Sequence, residues 1–289
     1  TSTETNIKEL VDLPGFTTHY LFGVKAYNDL PNNYLKHVIS KYRWLYQIGL
    51  QGPDIFFYNI PILRHRDYRN VGSHMHEYHV NRFFRNCLNE IAAISSKQQR
   101  EQAISYMAGF LCQPSEFNQA ATICLNGQEI QFLSRFLSRC INETYYPITE
   151  RNIFQVTEGM VTRSVYAIRF GGRLLSDPAG HKRNTIQFFE SMFLKHPIAS
   201  KKLVTDDTPK GVRKTLNLDH EVWTNPWNKT LASSASFLDL YRQTLQKCNL
   251  MYYQFNSMLT SGIPLKDQSF EMFLSELGNY SYHSGLDVG

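Results

Sequence analysis

The sequence lacks the features that define several large classes of protein. No apolar run approaches the ~20 residues that a membrane-spanning helix needs, and only 19% of the 289 residues are charged. Five cysteines, an odd number without tight spacing, do not fit a disulfide scaffold. The first ten residues have neither the basic nor the apolar region of a signal peptide. We therefore expect no transmembrane segment and a cytoplasmic location.

Basic residues are too sparse to indicate binding to nucleic acid. The net charge is +5, and the lysines and arginines fall in short runs rather than along one stripe. The densest run extends from Lys195 to Lys214 and is interrupted by Pro197 and Pro209. This run is either a solvated loop or a patch that binds an anionic surface. We expect no nucleic-acid partner.

The sequence does contain many apolar and aromatic residues at helical spacing. Hydrophobic residues make up 42% of the chain, with 17 Tyr and 19 Phe, which is enough for a sizeable core and indicates an aromatic-lined interior or pocket. Apolar residues recur every three or four positions, as in amphipathic helices, and strand-like alternation is almost absent. No internal repeat, low-complexity tract or linker divides the chain. The pattern predicts one all-α domain over residues 1–289.

The same pattern predicts six helices and some of their ends. They cover 76–94, 104–112, 130–141, a segment from Pro147 through Val165 closed by Gly171 and Gly172, 237–248 and 270–277. Ser233 or Ser234 is expected to cap the fifth of these helices. Cys87, Cys112 and Cys140 fall on the apolar faces of their helices, so we expect buried free thiols.

Histidines gather close to one acidic residue. Four of the ten lie within residues 65–79, and His19 stands alone near the start of the chain. Asp54 lies in the stretch GPDIFFY, directly ahead of an apolar run, where it either caps the turn or binds a ligand. On a helix, His74 and His76 would point about 200° apart, so at most one of them faces a shared centre. Imidazole and carboxylate groups are the ligands suited to zinc and non-haem iron.

Several blocks combine rare residues in a fixed order. They are THYLFG at 18–23, LYQIGLQGPDIFFY at 45–58, MHEYHVNRFF at 75–84, SYMAGFLC at 105–112, WTNPW and SASFLDLY within 223–241, and GNYSYHSGL at 278–286. Together they resemble the zinc-dependent phospholipase C family, and most of all its all-helical clostridial branch. The resemblance covers most of the chain.

This resemblance implies a helical bundle of the phospholipase C/P1 nuclease fold that holds up to three metal ions, usually zinc. In such a site a metal-activated hydroxide attacks a phosphodiester, and the metals stabilise negative charge on the phosphate oxygens. Carried over one residue at a time, His19 matches the first family ligand, Asp54 the acid of the GPD block and His76 the histidine of the MHE block.

The sequence departs from the family pattern after Cys112. The family has a histidine next, an aspartate four residues later and a second histidine four beyond that. Here Gln113 stands in place of the first histidine and Phe117 in place of the aspartate, while the second histidine has no counterpart. A later family His and Glu align with Asn126 and Ile130. Most of the trimetal ligand set is missing, so we do not expect ordinary zinc phospholipase chemistry.

Three functions stay open. In the first, which we favour, a repurposed pocket binds or transforms an apolar or amphipathic small molecule, with His19, Asp54 and His76 as hydrogen-bonding or acid–base groups. In the second, these three residues, with Glu116 as a fourth ligand, hold a single zinc or iron ion and hydrolyse a phosphodiester or phospholipid. In the third, the chain is a non-catalytic scaffold that binds a partner.

Overall fold

The computed structural model describes residues 16–58, 71–112, 124–145, 157–166, 216–225, 227–261, 268–280 and 285–288. Its helices are α1 (Phe16–Asp29), α2 (Tyr34–Lys41), α3 (Arg43–Gly49), a 3-10 helix (Gly52–Tyr58), α4 (Val71–Glu77), α5 (Val80–Ala93), α6 (Lys97–Leu111), α7 (Gly127–Tyr145), α8 (157–166), α9 (Phe237–Thr260) and α10 (Gln268–Leu277). Two short strands, β1 (Trp223–Thr224) and β2 (Ala232–Ser233), pair antiparallel. The predicted all-α class is confirmed. The single domain and the phospholipase C/P1 nuclease type of bundle stay predictions.

Helix α6 lies at the centre of the bundle. Every residue from Glu101 to Phe110 is buried, because α2, α3, α5, α7 and α9 all pack against this helix. A helix that is buried all round shows no narrow apolar stripe. Aromatic side chains fill much of the surrounding core, including Phe22, Phe56, Phe83, Phe84, Phe110, Phe255, Phe270, Phe273, Tyr106 and Tyr252. The aromatic-rich interior expected from composition is therefore present.

The helix predicted over 76–94 is two helices. Helix α4 ends at Glu77, and α5 begins at Val80 after His79, whose φ of +58° lies in the left-handed region. A left-handed residue breaks the α-helical hydrogen-bond ladder, and histidine tolerates that region better than β-branched residues do. Apolar spacing continues across the break, which is why the sequence pattern predicts one helix. His76 consequently belongs to α4, ahead of the break.

The start of α9 also differs from the prediction. Ser236 caps it, rather than Ser233 or Ser234: its side chain accepts a hydrogen bond from Asp239 N, and the Asp239 carboxylate accepts one from Ser236 N. Ser233 lies in β2 instead. This reciprocal capping box outcompetes a lone serine because it satisfies two backbone donors at once.

The remaining helix predictions divide into confirmed ones and ones outside the described residues. Helices α7 and α10 cover the segments predicted at 130–141 and 270–277, and α6 covers the one predicted at 104–112 except for Cys112, which is its C-cap. Gly278, with φ +76°, follows α10. The segment predicted from Pro147 is helical over 157–166, whereas its predicted cap and its closing glycines lie outside the described ranges. The basic run at 195–214 lies outside them too.

The predicted thiols are buried and free. Cys87, Cys112 and Cys140 are enclosed, as is Cys248, while Cys124 is exposed. In the part of the chain that the structure describes, no helix combines the length and apolar character needed to cross a bilayer.

Candidate functional site

Asp54 lies in the first turn of the 3-10 helix that follows α3. Gly52, with φ +49°, makes the turn between the two elements, a conformation that costs glycine little. The Asp54 backbone N–H donates to Gln51 O at 3.0 Å. The residues that follow, Ile55 and Phe56, are fully buried, and Asp54 itself is only 8% exposed. The chain therefore carries this carboxylate into the interior rather than leaving it at the surface.

His76 meets this carboxylate from the facing helix α4. Its Nε2 lies 2.9 Å from Asp54 Oδ1, and its Nδ1 lies 2.7 Å from the carbonyl oxygen of Gly72, one turn earlier. The side chain is 3% exposed. Contacts between α4 and the 3-10 helix bring the two residues together, although 22 positions separate them. Two residues singled out in the sequence thus form one hydrogen-bonded pair.

The partners of the His76 ring determine where its protons are. A backbone carbonyl oxygen only accepts hydrogen bonds, so Nδ1 carries a proton and donates it to Gly72 O. An ionised carboxylate also only accepts, so a second proton must lie between Nε2 and Asp54 Oδ1. The pair is then either an imidazolium with a carboxylate or a neutral imidazole with a carboxylic acid. In both forms it holds one transferable proton away from bulk water.

The other nearby histidines make different contacts. The ring of His74 packs against the rings of Tyr78 and Tyr145, with centroids 4.9 and 5.7 Å away. His79 also lies beside Tyr145, at 6.3 Å. His74 and His76 therefore contact different groups, as their spacing on one helix requires.

The structure does not describe the side chains of two further candidate residues, His19 and Glu116. His19 is in α1, but its side chain is not among those described, and Glu116 lies outside the described ranges together with Gln113 and Phe117. Among the residues that the structure describes, no group of three or more His, Cys, Asp or Glu side chains is arranged to hold a metal ion. Within the described ranges, Asp54 Oδ1 and His76 Nε2 are the atoms of the predicted ligand set that lie next to each other, 2.9 Å apart.

A second buried polar cluster was missed by the sequence patterns. Tyr252 Oη lies 3.0 Å from Tyr46 Oη and 2.8 Å from Ala108 O, and Tyr46 Oη donates to Gly23 O at 2.8 Å. Burial raises the pKa of the Tyr46 and Tyr252 hydroxyls well above their ordinary value, and neighbouring thiols raise it further. Because its members come from α1, α3, α6 and α9, no local spacing could have revealed the cluster.

Two thiols adjoin these hydroxyl groups. Cys112 Sγ and Cys248 Sγ are 2.8 Å apart although 136 positions separate the residues in sequence. Burial raises the pKa of Cys248 well above its ordinary value, and the adjacent Cys112 thiol adds to that effect. Helical spacing identified the burial of Cys112, but its partner on α9 follows only from the packing of the two helices.

No protein-family model, curated protein or solved structure matches this chain. The resemblance to zinc-dependent phospholipases C stays a prediction.

Proposed function

We propose that this chain is a divergent phospholipase C-like helical protein that binds or transforms an apolar or amphipathic small molecule, with Asp54 and His76 as its acid–base pair. The observation that carries the proposal is the 2.9 Å contact between His76 Nε2 and Asp54 Oδ1 in the interior. General acid–base groups need a proton held in a fixed geometry, which this pair provides.

Burial distinguishes this pair from an ordinary turn cap. Aspartate is almost never fully buried unless it is paired, and taking two ionisable groups out of water costs several kcal/mol before their attraction offsets it. A capping carboxylate can perform its role at the surface, with water completing its hydrogen bonds. Asp54 and His76 are instead 8% and 3% exposed. Of the two roles open for Asp54, a chemical one accounts better for this arrangement.

Neighbouring side chains support an apolar or amphipathic substrate. Ile55 and Phe56 follow Asp54 directly, Met75 precedes His76, and all three are at most 2% exposed. The residues next to the pair in sequence are therefore apolar and enclosed, which favours a ligand that is itself largely apolar. Small-molecule sites usually combine a mostly apolar lining with a few polar groups.

The proposal is tested with two chromogenic probes, p-nitrophenylphosphorylcholine as a phosphodiester and p-nitrophenyl butyrate as a carboxylic ester. Hydrolysis by the unmodified protein is compared with that by Asp54→Asn and His76→Gln. Loss of a general acid or base lowers the rate by about 10²- to 10⁴-fold, so we expect a fall in this range in both variants with circular dichroism unchanged.

A matched control is His37→Gln, which replaces an exposed histidine of α2. We expect it to retain the full rate. Equal rates in the unmodified protein and in both site variants would refute the acid–base role. No hydrolysis of either probe by any form would favour the scaffold function instead.

A one-metal site is the second candidate, and one observation favours it. Metal-binding histidines usually donate their other ring N–H to a carbonyl or carboxylate, which fixes the tautomer, and His76 Nδ1 has that contact with Gly72 O at 2.7 Å. His76 Nε2 and Asp54 Oδ1 fit as two ligands for zinc or iron. His19 and Glu116 are the further ligands that the sequence proposes. A metal ion bound there would supply Lewis-acid activation of water or phosphate.

Metal retention separates the two candidates. After equilibrium dialysis against zinc or ferrous iron, about one equivalent retained by the unmodified protein and lost in His76→Gln would favour the metal site. Retention of less than about 0.3 equivalent in both forms would exclude it. Hydrolysis that persists in the presence of a chelator would then leave the acid–base pair as the explanation.

A further inference from the structure

A second group of side chains that can react chemically is the pair of thiols where α6 meets α9. We propose that Cys112 and Cys248 are a reversible dithiol–disulfide site, which in its oxidised form links the C-terminal end of α6 covalently to the middle of α9. This inference is independent of the function proposed for Asp54 and His76.

The separation of the two sulfur atoms favours a disulfide over a metal site. Cys112 Sγ and Cys248 Sγ are 2.8 Å apart, and a disulfide bond is about 2.05 Å long. Two thiolates on one tetrahedral zinc, each about 2.3 Å from the metal, would lie about 3.8 Å apart. The thiols therefore need to approach by less than about 1 Å to form a bond. No third His, Cys, Asp or Glu joins them into a metal-binding group within the described ranges.

The position of Cys112 permits this approach. It follows the last residue of α6 as the C-cap, and its backbone N–H donates to Gly109 O. Residues at a helix terminus are less constrained than those in the middle, because the hydrogen-bond ladder ends there. A shift of the Cys112 side chain toward α9 does not require α6 to move as a whole.

A second thiol pair provides an internal comparison. Cys87 and Cys140 adjoin each other, and their exposure is 0%. Both lie within helices, in α5 and α7. Cys112 and Cys248 are 2% and 5% exposed. A small oxidant should therefore reach Cys112 and Cys248 first, while the enclosed pair in the middle of two helices reacts more slowly.

The oxidation step balances with a peroxide as the oxidant. Hydrogen peroxide transfers one oxygen to the first thiol, giving a sulfenic acid and one water. The second sulfur attacks the sulfenic sulfur, the S–O bond breaks, and the hydroxyl leaves as a second water with the proton of the second thiol. Each sulfur loses one electron and the O–O bond accepts both. Because burial raises the pKa of Cys248, the thiolate is scarce at neutral pH and oxidation should accelerate as pH rises.

The disulfide would change the unfolding of the whole chain. It would close a loop between residues 136 positions apart, and long loops gain most from closure because the unfolded chain loses more entropy. The oxidised form is therefore expected to unfold at a melting temperature about 5–10 °C above that of the reduced form.

The test uses Cys124→Ser, which removes the exposed thiol and with it the simplest route to cross-linked dimers. The folded variant is treated with hydrogen peroxide, unfolded in the presence of a maleimide, and digested for mass spectrometry. We expect free thiols to fall from four to two, a peptide joined through Cys112 and Cys248, the higher melting temperature, and return to four thiols with dithiothreitol. If Cys124→Ser folds poorly, the same peroxide treatment, maleimide labelling and mass spectrometry are carried out on the unsubstituted protein.

Cys124→Ser/Cys248→Ser is the matched control, and it should give no reductant-sensitive internal cross-link. Four thiols remaining after peroxide would overturn the proposal. A cross-link between Cys87 and Cys140 in place of Cys112 and Cys248 would overturn it as well. Loss of thiols that dithiothreitol does not restore would show irreversible oxidation and would also refute a reversible site.

Discussion

Two glycines at the crossing of α3 and α6 show how a single residue controls the packing of this interior. A Cβ atom added at Gly49 would lie 2.1 Å from the carbonyl oxygen of Tyr106, and one added at Gly109 would lie 2.1 Å from that of Tyr46. In both cases the obstacle is backbone of the opposite helix, which cannot rotate away as a side chain can. The absence of a side chain at both positions lets the two helices approach closely.

Replacing Gly109 by alanine should therefore destabilise the protein. In a typical helix this change is favourable by about 1 kcal/mol, but here the added methyl group would separate α3 from α6. Overpacking of a tight core costs about 1–3 kcal/mol, and we expect a loss in free energy of unfolding of that size, measured by urea unfolding.

Gly127→Ala is the matched control, because a Cβ at Gly127, in the first turn of α7, meets no atom within 4 Å. It should be neutral or stabilising by up to about 1 kcal/mol. If Gly109→Ala and Gly127→Ala changed the free energy of unfolding equally, the close contact between α3 and α6 at Gly109 would be contradicted.

At the scale of an element, α9 depends on the capping box at its start. Ser236 Oγ accepts from Asp239 N at 3.2 Å and donates to Asp239 Oδ2 at 2.6 Å. Ser236→Ala removes both contacts, and we expect a loss of about 1 kcal/mol in the free energy of unfolding. Ser234→Ala, at an exposed neighbouring serine, should have no measurable effect. A loss of equal size in Ser234→Ala would instead support Ser234, one of the residues predicted from sequence, as the cap of α9.

The same cap should depend on pH in a defined direction. Hydrogen bonds from Ser236 lower the pKa of Asp239 below its ordinary value of 3.8. A lowered pKa means that the folded state favours the ionised carboxylate, so the stabilisation is present above pH 3.8 and is lost as pH falls through the lower folded pKa. The difference between Ser236→Ala and the unmodified protein should therefore shrink in that acidic range.

At the scale of the whole molecule, enclosed hydroxyl and thiol groups make the fold sensitive to alkaline pH. Burial raises the pKa of Tyr46, Tyr106 and Tyr252 above the ordinary 10.0, and of Cys87 and Cys248 above the ordinary 9.0. A raised pKa means that the unfolded chain releases its proton first. The contribution of each group to the free energy of unfolding is fully present below its ordinary pKa. It is lost as the pH rises toward the raised pKa of the folded state.

We therefore expect the free energy of unfolding to fall steadily above pH 9, by up to about 1.4 kcal/mol per pH unit for each group. Urea unfolding midpoints across the alkaline range measure this slope. Phenolate absorbance of the enclosed tyrosines should appear together with unfolding rather than before it. A midpoint that stays constant from about pH 8 to pH 11 would contradict the burial of these groups.

Helical periodicity was the part of the fold most accessible from sequence. The apolar spacing of α6, α7 and α10 depends on local geometry, because a helix repeats every 3.6 residues wherever it lies. Their existence was predicted correctly. The break at His79 was not, because the apolar spacing runs through it and the left-handed conformation leaves no apolar signal. The cap at Ser236 was misplaced by two or three positions, since several serines precede α9 and the reciprocal bond with Asp239 decides among them.

The candidate site was accessible in part. Sequence resemblance selected Asp54 and His76, and the packing of α4 on the 3-10 helix places them in contact. The sequence could not show that the contact is a direct hydrogen bond from His76 Nε2 to Asp54 Oδ1, nor that Gly72 O accepts the proton on Nδ1. Those facts depend on the orientation of two elements relative to each other.

The sequence by itself determined the helical class, the apolar faces and the residue types available for chemistry, because these follow from local spacing and composition. Only the tertiary structure decided which of those residues meet. Asp54 joins His76 across 22 positions, and Cys112 joins Cys248 across 136. The physical reason is that chain entropy leaves distant segments unpaired until buried apolar surface holds them together. Partners for enclosed polar groups are therefore selected by packing rather than by spacing along the chain.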